Sequence, residues 1–170
     1  STGLVGSEMC IRDREKTYGD NGEDGFNMIT RSKDNNFIAV GYSESFFSKG
    51  MKDVLMVKID SLGNKMWMNL YGGKSDDIAN SVFECKDSGF AIAGETTSFG
   101  SGKNDILILK TNSNGVQKWK STIGGKGVDI GRSIEELPKG GFIVSGTSTI
   151  SNLSFDSILI KTDKKGKESN

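Results

Sequence analysis

The sequence repeats itself about every 52 residues, and this period constrains the fold more than any other feature. Three apolar runs, FIAVG, FAIAG and FIVSG, end in a glycine, at Gly41, Gly94 and Gly146. A second set of runs, DVLMVKID, DILILKTN and DSILIKTD, begins with an aspartate, at Asp53, Asp105 and Asp156. Corresponding residues are 51 to 53 positions apart, so the chain contains three copies of one structural unit.

A tryptophan marks the end of the first two copies. Trp67 and Trp119 are 52 residues apart, and each stands four residues after a turn glycine. The third copy ends in KKGKESN, about where its tryptophan is expected, so we expect this copy to be truncated. These landmarks divide the chain into repeats at residues 16–70, 71–122 and 123–170, preceded by residues 1–15.

The beginning of the chain has a different character. Residues 4–13 read LVGSEMCIRD, which resembles the translation of adapter DNA used in transposon-based sequencing libraries. A segment of this origin is excluded from fold reasoning, as a tag would be. We therefore expect residues 1–15 to be non-native or disordered, and the natural chain to begin upstream. The alternative is an ordinary flexible N-terminus.

Each repeat offers four segments of strand length. In the middle repeat they are residues 80–85, 90–96, 106–111 and 116–121. Runs such as FAIAG and ILILK are too short for globular helices and are flanked by Gly, Asp, Asn and Ser. Because these runs are apolar on both side-chain faces, they predict strands buried on both sides. The segment VQKWKST mixes polar and apolar residues and predicts a half-exposed edge strand.

Turn residues separate these segments at matching positions. DNN, DSG and PKGG lie between the first and second strands, and DSLG, NSNG and DKKG lie between the third and fourth. Asparagine and glycine tolerate the positive φ that tight hairpin turns require. The tryptophan after the second turn is placed to cover the glycine-rich backbone of the next repeat. The sequence therefore predicts an all-β chain of three tandem four-stranded antiparallel units.

The combined pattern is YGG-x3-D, then D-x-GF-x-I-x-G-x-T-x-SFG, then D-x-L-I-x-K-T-x3-G-x3-W. It resembles the bacterial β-propeller repeats of secreted and cell-surface proteins, with the seven-bladed SBBP class as the nearest, over nearly all of residues 18–166. The last part is also similar to the tryptophan-docking motif of quinoprotein propellers, although no cofactor-site signature accompanies it. The resemblance implies a partial, truncated β-propeller, since a closed ring needs at least four blades. It also implies further blades of the same chain as partners.

Composition excludes several kinds of site. The chain has no histidine, which removes Ser-His-Asp and Cys-His catalytic arrangements and histidine-ligated metal sites. Lysine plus arginine equals aspartate plus glutamate, at 22 each, so no overall field attracts nucleic acid. The sequence contains no run of 18 apolar residues that would span a membrane. We expect no catalytic residue, no metal and no cofactor.

The recurring aspartates allow two interpretations. One repeat position is shared by Asp24, Asp77 and Asp129, and another by Asp53, Asp105 and Asp156. Clustered carboxylates could bind calcium near a propeller channel. Alternatively, each carboxylate accepts backbone N–H bonds and stabilises a turn. We favour the second interpretation, because a residue present in every repeat is more typical of a scaffold than of a site.

Residues that occur in a single repeat are few. Glu135 and Glu136 are adjacent, so on a strand they point to opposite faces and do not form a facing acid–base pair. Asp76 and Asp77 are expected in a solvated loop between repeats. Cys85 lies within an apolar strand and is expected to be a small core residue.

Two further features lie in loops. The aromatic residues after the second strands are expected to pack between repeats rather than to bind a ligand: Phe46, Phe47 and Phe99. Asn152 begins an Asn-x-Ser glycosylation sequon, a pattern that is common by chance.

Three functions remain open at this point. The first is a non-enzymatic secreted or cell-surface propeller that acts as a scaffold or as an interaction module for protein or carbohydrate. The second is the propeller region of a larger extracellular enzyme, such as a polysaccharide-degrading hydrolase. The third is a β-trefoil-like carbohydrate-binding domain, because trefoils also have three repeats of this length; a closed three-fold barrel would distinguish it.

Overall fold

The structure is a computed structural model that describes residues 15–45, 51–151 and 154–169. Within these residues the chain forms eleven β-strands and no helix, so the all-β prediction is confirmed. The strands are β1 (Asp24–Arg31), β2 (Phe37–Ser43), β3 (Asp53–Ile59), β4 (Lys65–Tyr71), β5 (Asp77–Glu84), β6 (Phe90–Thr96), β7 (Asp105–Thr111), β8 (Gln117–Ile123), β9 (Asp129–Glu136), β10 (Phe142–Ser151) and β11 (Ser154–Thr162). The segment with the adapter-like sequence, residues 4–13, lies outside the described residues, as do Phe46, Phe47 and Asn152.

The strands form three antiparallel sheets in chain order. The first sheet is β1–β4, the second is β5–β8, and the third is β9–β11. Each strand pairs with its chain neighbours in the same sheet, as short hairpin turns require. Over the described residues the three sheets stay separate and close into neither a ring nor a barrel. The three-fold barrel of the trefoil hypothesis is therefore not found.

The turns adopt the backbone that their residues favour. In the turn after the third strand of each sheet, the glycines at equivalent positions have φ of 77°, 76° and 74°, at Gly63, Gly115 and Gly166. Between the first and second strands, Asn35 and Ser88 have φ of 66° and 60°. Repetition of the turn chemistry thus produces repetition of the turn geometry.

A β-bulge recurs in the first strand of each sheet, opposite a glycine of the second strand. The register of β1 shifts between Phe26 and Met28, and equivalent shifts occur in the other two sheets. A side chain on Gly94 would collide with the carbonyl oxygen of Ile78, which the bulge brings close. The same holds at the two equivalent glycines, Gly41 and Gly146.

The core lies between the sheets, in two clusters. The first cluster joins β2 and β3 to the front of the second sheet, for example Val40 and Met56 with Ile92 and Leu109. The second cluster joins the back of the second sheet to the front of the third. Its buried residues include Cys85, which is fully buried as expected. Burial raises the pKa of the Cys85 thiol to about 11, which keeps it protonated near neutral pH.

Within the described residues, no other sheet covers the outer face of the third sheet. Leu159 is 75% exposed and Ile143 is 37% exposed, whereas the residues at the position of Leu159 in the first two sheets, Met56 and Ile108, are 0% exposed. The expectation that the aspartate-led strand is buried on both faces therefore holds for β3 and β7 but is wrong for β11. The physical reason is that no fourth sheet packs on β11 within the described residues.

Candidate functional site

The predicted repeat residues converge on the junctions between neighbouring sheets. We call the contact between the first and second sheets junction 1, and the contact between the second and third sheets junction 2. At each junction the first strand of the later sheet packs on the first three strands of the earlier one: β5 on β1, β2 and β3, and β9 on β5, β6 and β7. Each junction is built from residues at equivalent positions.

Trp67 and Trp119 cover the next sheet, as the sequence predicts. A Cβ on Gly115 would lie 2.9 Å from Cζ3 of Trp67, so the indole ring rests directly on this turn. The Trp67 ring also packs against Phe90, with the ring centroids 6.3 Å apart. At junction 2 Trp119 makes the same contacts, with Gly166 and with Phe142 at 5.7 Å.

Polar contacts repeat between the sheets as well. The Asn27 amide donates to the carbonyl of Ala79 at 2.8 Å, and the Asn80 amide donates to the carbonyl of Gly131 at 3.0 Å. Both asparagines occupy the bulge position, so the bulge aims them at the next sheet. Sequence reasoning missed these asparagines, although their spacing of 53 residues was a signal that could have found them.

At each junction a glutamate of the later sheet also accepts a backbone N–H of the earlier sheet. Glu84 accepts the backbone N–H of Lys33 at 2.7 Å, and Glu136 accepts that of Lys86 at 2.8 Å. Glu136 therefore has a structural contact, while Glu135 beside it is exposed. The two are consecutive residues of β9 and point to opposite faces, as expected.

The recurring aspartates fall into pairs that flank a glycine. Asp53 Oδ1 and Asp77 Oδ2 both lie within 3.0 Å of the point where Gly72 would carry a Cβ. Asp105 Oδ1 and Asp129 Oδ2 flank Gly124 in the same way. Burial, and then the negative charge of Asp77, raise the pKa of the Asp53 carboxyl.

Backbone and hydroxyl groups hold these aspartates, as the structural interpretation expects. Asp77 accepts the N–H of Gly73 at 2.8 Å and the hydroxyl of Ser98 at 2.7 Å. Asp105 accepts the N–H groups of Ser101 and Gly102 at 3.0 and 3.1 Å. The prediction of a solvated Asp77 is wrong: it begins β5 and is 0% exposed, because the packing of the two sheets encloses it.

Among the described residues, the recurring aspartates come together in pairs. In the part of the chain that the structure describes, no group of three or more acidic or cysteine side chains gathers to hold a metal ion. Asp156, at the repeat position of Asp105, is exposed, since no later sheet packs there within the described residues. Asp77 Oδ1 is buried and has no hydrogen-bond partner among the described residues.

A lysine–aspartate ion pair lies at the equivalent position of each junction. Lys58 Nζ lies 2.5 Å from Asp34, and this hydrogen bond lowers the pKa of Asp34 to about 2. Lys110 Nζ lies 2.9 Å from Asp87 at the equivalent position. Both lysines are almost fully buried, so each needs its partner to offset the cost of burying its charge.

The remaining aromatic candidate also has a structural position. Phe99 is half-buried, and its ring would contact any side chain on Gly73, in the link between the first and second sheets. Lys120 Nζ lies 3.1 Å from the centre of the Phe99 ring. Packing at the link agrees with the expectation for this residue.

No protein-family model matches the chain, and no curated protein is detectably similar to it. In the described residues, no helix is long and apolar enough to span a membrane.

Proposed function

We propose that this chain is a set of consecutive blades of a β-propeller that serves as a non-enzymatic scaffold and interaction module of a secreted or cell-surface protein. The proposal places further blades of the same chain next to the third sheet. Its partners are protein or carbohydrate ligands that bind at the surfaces between blades. The cellular location rests on the resemblance of the repeat pattern to propellers of secreted and surface proteins.

The observation that carries the proposal is the uncovered outer face of the third sheet. Its side chains Ile143 and Leu159 stand at positions that are buried by a following sheet in both earlier repeats. The two existing junctions reuse the same tryptophan, asparagine and glutamate contacts, so the chain stacks its sheets by one recurring rule. An array built by such a rule leaves an open face wherever it stops.

The order of contacts also supports a propeller. First strands of successive sheets neighbour one another, as β1 with β5 and β5 with β9. A shared cavity of about 340 Å³ lies between these three strands, where a propeller has its central channel. The repeat residues are used in contacts between sheets, which supports a scaffold role for them rather than a catalytic one.

An extended chain tests this proposal. Appending a second copy of residues 116–169 after Gly166 supplies the missing fourth strand, with its tryptophan, and a further three-stranded sheet. We expect hydrogen exchange of the β11 amides to slow by at least about tenfold, because the new sheet covers this strand.

The control is the same extension with Val144→Asp in the appended copy. Val144 is 0% exposed in the inter-sheet core, so the charge prevents the added sheet from docking. The appended fourth strand is present in both extended chains, so exchange of β11 that is equal in the extension and in the control would show that the outer face is not a docking face for another repeat, and would overturn the proposal.

A further inference from the structure

A lysine-rich groove at junction 2 has no counterpart of the same charge at junction 1. The groove has a volume of about 500 Å³ and lies at the end of the sheets where the hairpin turns of the second and third repeats meet. Five lysines line it: Lys86, Lys110, Lys118, Lys139 and Lys164. Asp87 and Glu136 are its acidic residues, so lysines outnumber carboxylates by five to two.

Two aromatic side chains lie beside these lysines. Trp119 and Phe142 both line the groove, and the Trp119 side chain is half-buried, which leaves part of its ring accessible. An indole ring offers a flat apolar surface together with a polar edge. The groove therefore combines an apolar platform with a cluster of cations.

Part of the positive charge is already neutralised. Asp87 lies 2.9 Å from the Nζ atoms of both Lys110 and Lys118, and Lys86 Nζ donates to the carbonyl of Pro138 at 2.7 Å. Lys139 and Lys164 have no ion pair or hydrogen bond with a described residue through their side chains. The pair of Lys118 with Asp87 is itself about half exposed, so solvent screens it and an incoming anion can compete for this lysine.

Comparison of the two junctions shows which groove residues belong to the repeat and which occur only at junction 2. Lys86, Lys110 and Trp119 correspond to Lys33, Lys58 and Trp67, so these parts of the groove belong to the repeat. The other three lysines do not repeat. The residues at the positions of Lys118, Lys139 and Lys164 in junction 1 are Met66, Asp87 and Ser113.

The same fold is thus built at junction 1 without these three cations. Stability of the junction does not require them, and bringing like charges together around one groove costs free energy. A cluster that the scaffold does not need, next to an accessible aromatic ring, is the signature of a ligand site.

We propose that the groove at junction 2 binds an acidic oligosaccharide. Lysine ammonium groups bind the carboxylates of the sugar, and the apolar face of a pyranose ring packs on the Trp119 indole. A nucleic acid fits less well, because the chain as a whole has 22 basic and 22 acidic residues and offers no extended field to a phosphate backbone. The inference rests on the interaction role proposed above and names one ligand class for it; because the site lies between two sheets that this chain contains, it does not depend on further blades.

Calorimetric titration of the full chain with a uronic-acid oligosaccharide tests the proposal. We expect binding that weakens as sodium chloride is added, since the contacts are exposed and ionic. A neutral oligosaccharide of the same length should bind at least about tenfold more weakly, because it lacks the charge-assisted hydrogen bonds.

The decisive variant is K118M/K139D/K164S, which gives junction 2 the residues of junction 1. Its folding is expected to persist, because the same scaffold already carries these residues at the equivalent positions. We expect the affinity for the acidic oligosaccharide to fall by at least about 100-fold. The matched control K74Q/K126Q removes two exposed lysines from the links at the opposite end of the sheets, and should change the affinity by less than about twofold.

Three results would overturn the proposal. They are no binding by the original chain, unchanged binding by a folded K118M/K139D/K164S variant, and equally tight binding of inorganic polyphosphate, which carries charge without a sugar face. None of them bears on whether β11 accepts another sheet, so failure of this proposal is distinguishable from failure of the blade proposal.

Discussion

Gly94 is a glycine because the carbonyl oxygen of Ile78 occupies the space into which a side chain would project. The bulge that brings this oxygen close also places Asn80 toward the third sheet, where it bonds to Gly131. The absence of one side chain in β6 therefore supports a hydrogen bond between two sheets.

Replacing this glycine should be costly. Gly94→Ala places a Cβ against main-chain atoms that cannot move without breaking the bulge, and we expect the free energy of unfolding to fall by about 2–3 kcal/mol. Urea unfolding followed by tryptophan fluorescence measures this change. Gly125→Ala is the control, because no described atom beyond its chain neighbours lies within 4 Å of its added Cβ, and it should change the stability by less than about 0.5 kcal/mol. Similar values for the two variants would contradict the steric explanation.

The period of the sequence is sufficient to locate such glycines, because a repeat preserves each backbone requirement at the same spacing. It does not reveal why they are needed, since the bulge lies in a different strand. The burial of Asp77 is also hidden in the sequence KSDDIAN, which looks solvated. The Ser98 hydroxyl that binds Asp77 is 21 residues away, and only the paired strands bring it there.

Among the elements, the fourth strand of the first two sheets has the most specific role. It lies at the sheet edge and pairs with one neighbour, yet it carries the ring that joins its sheet to the next. In β4, Trp67 and Tyr71 both reach the turn at Gly115, the tyrosine by donating its hydroxyl to the glycine carbonyl. This explains how a half-exposed edge strand, as its mixed sequence predicts, still contributes to the core.

We therefore expect Trp67→Ala to destabilise the chain by about 2–4 kcal/mol, somewhat less than for a fully buried tryptophan. The neighbouring variant Met66→Ala serves as the control, because Met66 is 52% exposed and does not belong to the core cluster that Trp67 packs against. It should cost less than about 0.5 kcal/mol. Urea midpoints at an unchanged slope report both values, and a cost for Met66→Ala equal to that of Trp67→Ala would show that β4 acts only through its backbone.

At the scale of the whole molecule, the three sheets pack one after another, and the outer face of the third sheet is exposed. The sequence predicts the number of strands and their order, because local turns and apolar runs determine both. It does not predict which sheet face is uncovered or where the lysines of different repeats meet, since these depend on packing between distant segments. The groove at junction 2 gathers Lys86 and Lys164, which are far apart in the chain.

Acid stability should reflect the lysine–aspartate pairs of both junctions. The hydrogen bond from Lys58 lowers the pKa of Asp34 from an ordinary 3.8 to about 2. At Asp87, burial alone would raise the pKa, but the hydrogen bonds from Lys110 and Lys118 outweigh it and lower the pKa. The unfolded chain therefore binds more protons than the folded chain below about pH 4, and the free energy of unfolding should fall as the pH falls toward about 2.

Urea unfolding at intervals between about pH 5 and about pH 2 measures this dependence. In Asp34→Asn the slope of the free energy of unfolding against pH should become smaller in that window, because one of the groups that titrate differently in the two states is gone. Lys58→Met should reduce the slope in the same window, since it removes the cation that lowers the pKa of Asp34. If both variants keep the slope of the original chain, the pair at junction 1 does not control acid stability, and Asp87, whose pKa is lowered at junction 2, becomes the alternative source.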